Sequence, residues 1–137
     1  MRFSRAAAAA VLLVCGAANA DEQTFRQDSS AAHQPTLGVG MICNTADQAE
    51  HFLKLRAGGT DPSQAMDAVN KEAENPRACG IAAVAFFTDQ TMGTQTVENR
   101  LLQVVRINVV AGYNRTGWHH VTNMVQYAVI EQKGYGI

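Results

Sequence analysis

The side chains of this sequence with the widest chemical reach are two cysteines, Cys43 and Cys79, and four histidines, His33, His51, His119 and His120. Two thiols far apart in sequence can form a disulfide, exchange electrons or supply a nucleophile. Neither lies in a Cys-x-x-Cys pair and neither has an adjacent cation that would hold it as a thiolate, so the reactive options lack a physical basis. A structural disulfide is the expectation. It would close a loop of about 37 residues and stabilise the fold by roughly 3–4 kcal/mol through the entropy of the unfolded chain.

His119 and His120 are neighbours, and in a strand neighbouring side chains point to opposite faces, so they chelate one metal only where the backbone is irregular. A metal site or small enzyme built on this pair is the alternative reading. His51 follows Asp47 by one helical turn, a spacing suited to a surface hydrogen bond. Tyr113, Arg115, Trp118 and His119 lie close together in a stretch rich in turn formers. Aromatic residues and arginine dominate interface energetics, which makes this a candidate binding loop; the same Trp118 folded back onto a sheet would be core. No Gly-x-Ser-x-Gly elbow, phosphate loop or dinucleotide fingerprint occurs. Gly38-Val39-Gly40 precedes a helix signal but lacks the third glycine, so a closely packed strand accounts for it better. The sequence assigns no catalytic residue and no cofactor.

The elements that must position these groups follow from periodicity and punctuation. Thr36 to Met41 places apolar side chains at every second position, as a strand does. Thr45-Ala46-Asp47-Gln48 matches a capping box, and Ala49, Phe52, Leu53 and Arg56 follow on one helical face, predicting a helix over 46–57 that ends at Gly58-Gly59. Asp61 as N-cap with Pro62 at the first position opens a second helix, which Asn75-Pro76 closes. Beyond Cys79 the pattern turns to β: a strand over 81–88, a turn at 89–93, a short strand at 94–97, a branched run over 101–110 in which β-branching favours strand over helix, a turn at 112–117, and a final strand through Val121, Val125, Tyr127 and Val129.

Composition sets the compartment and the exclusions. The chain has 137 residues, 47% of them hydrophobic, and a formal charge of -1; with no basic excess, binding of nucleic acid by counterion release is not expected. Arg2 and Arg5 precede an uncharged run from Ala6 to Val14, and Ala18-Asn19-Ala20 ends it with small residues. That is the order of a cleaved export signal, and its apolar core is too short and too alanine-rich for an integral membrane anchor. Leu12-Leu13-Val14-Cys15 leaves lipid modification at Cys15 as a competing reading. The expected division is a signal peptide over 1–20, a flexible polar leader over 21–35 and a single domain over 36–137, periplasmic or secreted.

Met41 to Phe52, Asp67 to Glu72, Ala78-Cys79-Gly80 and Val125-Gln126-Tyr127 resemble a family of small exported bacterial proteins that has no assigned activity. The resemblance carries no catalytic residue across. It implies the export compartment and the paired cysteines. The expected architecture is α+β: a curved antiparallel sheet or small open barrel of four to five strands, with a helical hairpin inserted after the first strand and pinned by Cys43 and Cys79. The expected function is a non-enzymatic exported binding or inhibitor-type module whose partner is an envelope component or a protein.

Overall fold

The computed structural model describes residues 24–26 and 34–132. Its elements run β1 (Phe25–Arg26), β2 (Thr36–Cys43), α1 (Ala46–Ala57), α2 (Pro62–Ala73), β3 (Cys79–Val97), β4 (Arg100–Asn114) and β5 (Gly117–Glu131). The class is α+β, with the helical hairpin after β2 as expected. The proposed signal over 1–20 lies outside the described residues, as does Cys15.

Local chemistry sets the helix ends. Thr45 accepts a hydrogen bond from the Gln48 amide while the Gln48 side chain accepts from the Thr45 amide, a completed capping box. Asp61 caps α2 by accepting from the amides of Ser63 and Gln64, with Pro62 beside it where no amide is needed. α1 buries Ala49, Phe52, Leu53 and Arg56. The buried guanidinium of Arg56 donates to the Thr60 carbonyl at 2.8 Å and lies 3.7 Å from Glu98, tying the inter-helix turn to the turn between β3 and β4.

β2, β3, β4 and β5 close into a ring. β2 pairs antiparallel with β3 from Thr36↔Phe86 to Cys43↔Cys79, β3 with β4, and β4 with β5. The last seam, β2 with β5, is paired only at Ile42↔Ala128 and Cys43↔Tyr127. Strands this long must bend to form a ring. Register shifts at Ala85/Phe86, Thr88/Gln90, Thr91/Gly93 and Val109/Ala111 supply the bends. The sequence reading divides β3 at residues 89–93; the structure runs one strand through them. Asp89, Gln90 and Gly93 suit a bulge as well as a turn, and β4 pairs with both halves. The true reversal is the two-residue turn at Glu98 and Asn99, both at positive φ (52° and 67°).

Strand alternation makes two cores. Inward-facing Val84, Phe86, Val105, Ile107, Val109, Ala128 and Ile130 fill the ring. Outward-facing Met41, Cys43, Cys79, Val97, Leu102, Val104 and Val129 meet Phe52, Leu53, Ala65 and Val69 of the helices. Cys43 and Cys79 are direct cross-strand partners and are disulfide-bonded, as expected. Asn70 of α2 holds the same place: its side chain accepts from the Cys79 amide at 2.8 Å and donates to the carbonyls of Cys79 and Pro76. The carboxamide acts as a substitute strand partner for the start of β3.

One part of the polar stretch before Pro35 belongs to the fold. Phe25 is 2% exposed, and Phe25–Arg26 pairs parallel with Ile130–Glu131. β1 fills the seam that β2 and β5 leave open, and the Phe25 ring lies edge-on to Phe86 at 5.0 Å. The glycines of β2 make room for it: a Cβ on Gly40 would stand 2.6 Å from the ring, and one on Gly38 3.1 Å. The polar composition of the leader conceals this contact because one aromatic side chain with a prepared cradle is enough to hold two residues of backbone. Residues 27–33 lie outside the described set.

Candidate outer-face binding surface

The polar groups with chemical potential stand apart. His51 Nδ1 meets Glu72 Oε1 at 2.8 Å across the helical hairpin, so its partner is on α2 and not the Asp47 of its own helix. This pair borders an open groove of about 400 Å³ lined by Thr45, Asp47, Gln48, Val69 and Ala73 as well. The Thr45 hydroxyl there is already the N-cap, and a polar contact this exposed contributes at most about 1 kcal/mol. A second groove, about 490 Å³, runs beside Asn70 and Pro76, where the Asn70 carboxamide is committed to Cys79 and Pro76.

The Tyr113–His120 segment is a hairpin tip. Asn114 accepts from both the amide and the hydroxyl of Thr116, and Gly117 reverses the chain at φ 109°. Tyr113 and Trp118 are direct cross-strand partners with ring centroids 5.4 Å apart at 63°. Trp118 is half-buried and belongs to neither core. Its enclosed indole N–H has no hydrogen-bond partner among the described residues. Arg115 is exposed at the turn, and His119 lies against the Thr116 hydroxyl. His119 pairs with Gly112 and His120 with Ala111 in regular register, so their rings leave opposite faces. Among the described residues no three His, Cys, Asp or Glu side chains stand together in a metal-holding group.

A third feature is apolar, and the register of the ring reveals it. The helices cover the outer face where β2 ends, where β3 begins and ends, where β4 begins and where β5 ends, and beyond them the outer face carries exposed apolar side chains. On β2 the outward series Cys43 and Met41 passes from beneath the helices to Val39 and Leu37; on β3 it passes from Cys79 to Ile81, Ala83, Ala85 and Phe87; on β5, from Val129 and Tyr127 to Val125. Leu37 is 53% exposed, Ile81 42%, Val125 40% and Phe87 36%. Leu37, Ala85, Ala111 and His120 form one continuous cross-strand row. Tyr113 and Trp118 fall in the neighbouring row, beyond Val39 and Ala83, so the alanines form a low floor between larger side chains.

Of the candidate loop, therefore, the structure brings Tyr113 and Trp118 onto this face and sends His119 to the other. The sequence reading omits Leu37, Ile81, Phe87 and Val125. For Ile81 and Phe87 the signal is the run from one to the other, apolar at both parities, whose even members alone suffice for the ring core; Leu37 and Val125 carry no such signal. Among the described residues no helix is long and apolar enough to cross a membrane. No family model, curated protein or solved structure matches the chain.

Proposed function

We propose that the chain is an exported binding module of inhibitor or envelope-recognition type, which meets its partner through the bare part of the ring's outer face. The observation that carries this reading is the pairing of an apolar inner face with an apolar, exposed outer one on β2 and β3. An antiparallel sheet that needs only one buried face ordinarily alternates apolar with polar, and contiguous exposed apolar surface marks interaction sites. The disulfide points to an oxidising, extracytoplasmic compartment, in line with the export signal read from Arg2 to Ala20. The partner is then an envelope component or protein.

Substitution separates contact from folding. Ile81→Asp and Leu37→Asp, at exposed outward positions, are expected to change unfolding free energy by about 1 kcal/mol or less. They are expected to abolish retention of an envelope component on the immobilised chain, which Lys71→Glu on the helices leaves intact. Equal retention by all variants would contradict the reading.

A further inference from the structure

Of the two edges of β5, one is paired along its whole length and the other only in part. On the first, β4 runs alongside from Leu102↔Glu131 to Asn114↔Gly117. On the second, β2 takes Tyr127 and Ala128, and β1 takes Ile130 and Glu131. β2 stops at Cys43, where the chain leaves for α1. Among the described residues, therefore, no strand lies beside Trp118 to Gln126 on that side. Residues of an antiparallel strand turn their backbone groups alternately toward one neighbour and the other, so about half of the N–H and C=O groups in this stretch point away from β4. Natural edges are ordinarily blunted by charge or proline, yet Trp118 to Gln126 contains no Lys, Arg, Asp, Glu or Pro. Met124 is 44% exposed and Val125 40%, one on each face of the strand. The register step at Val109/Ala111 bends β5 between His120 and Met124, and an added strand follows the same bend. The part of β3 beyond its pairing with β2 differs: it is stepped at Thr88/Gln90 and Thr91/Gly93 and carries Asp89.

We propose that the open edge of β5, from Trp118 to Gln126, is a docking site for an extended segment of a partner protein, added antiparallel to β5 along the line that β2 leaves at Cys43. A row of backbone donors and acceptors at strand spacing is matched by another extended backbone, and not by a sugar, a lipid tail or a helix. The same edge already holds strands of both directions, β2 antiparallel and β1 parallel. The antiparallel sense follows because the open line continues β2 and because that pairing is the more stable per residue. Main-chain bonds supply the affinity and alternate side chains the selectivity: one apolar residue beside Val125 on the outer face, its neighbour beside Met124 on the opposite face. The inference deepens the binding-module reading, on which it rests, by giving the partner's chemistry and conformation.

Heptapeptides selected from a random display library on the immobilised chain are the probe, and N-methylation of each of their amides in turn reads the backbone alone. Affinity is expected to fall about tenfold at every second methylation, where a bond to β5 is lost, and to hold at the others. The bound peptide is expected to slow hydrogen exchange at alternate amides between Trp118 and Gln126. Val125→Asp should weaken it by a similar factor, while Ile81→Asp, which probes the wider outer face, leaves it unchanged. Recovery of no peptide, binding without the period of two, or slow exchange along this edge before any peptide is added would overturn the proposal. Peptides indifferent to methylation, together with loss of envelope retention in Ile81→Asp, would overturn the edge and keep the outer face.

Discussion

Replacing Cys43 and Cys79 together by alanine is expected to lower the unfolding free energy by about 3–4 kcal/mol, the loop-entropy value for a ring closed by residues 36 apart in sequence. The bond joins the end of β2 to the start of β3 and so closes the chain around both helices, which the unfolded protein must otherwise explore freely. Its loss should also raise the denaturant m-value, because the unfolded ensemble becomes more expanded. Urea titrations of the oxidised protein and the double variant read both quantities. Equal midpoints would mean that the Asn70 clamp and the β2–β3 ladder hold this corner without the bridge.

Phe25→Ala is expected to cost about 3 kcal/mol. Truncating a buried phenylalanine ordinarily costs about 3–5 kcal/mol. The low end applies here because a two-residue terminal strand can undock, which limits the penalty to the free energy of docking. Gly40→Ala should produce a loss of the same kind from the other side of the contact, since its Cβ would stand 2.6 Å from the ring. Dilute-solution denaturation measures both. A loss below about 0.5 kcal/mol in each, the range of an ordinary surface substitution, would return residues 24–26 to the leader.

What the sequence makes legible is what is decided locally. The capping residues Thr45, Gln48, Asp61 and Pro62 act within one turn, and they place both helices at their observed starts. The cysteine pair is legible because, with Cys15 assigned to the expected signal, two thiols are left and a disulfide is the economical use for them. Continuity through residues 89–93 is not legible, because Gly93 and its neighbours serve a bulge or a turn equally and only the distant β4 chooses. Phe25 gives no periodic signal of its own; its complement, Gly38 and Gly40, lies 13 to 15 residues on. The outer face is half legible. The run from Ile81 to Phe87 shows apolar residues at both parities, but which part the helices cover depends on closure of the ring through Ile42↔Ala128 and Cys43↔Tyr127.

The central claim, that the bare part of the ring's outer face and not the helical hairpin meets the partner, is tested most directly by photo-crosslinking in intact cells. A photoreactive residue would be placed at Ile81 in one chain and at Lys71 in another, both exposed positions. The account predicts a discrete adduct from Ile81 and none from Lys71, with the adduct's mass separating a second copy of this chain from another envelope component. Adducts from Lys71 alone, or from neither position, would contradict it.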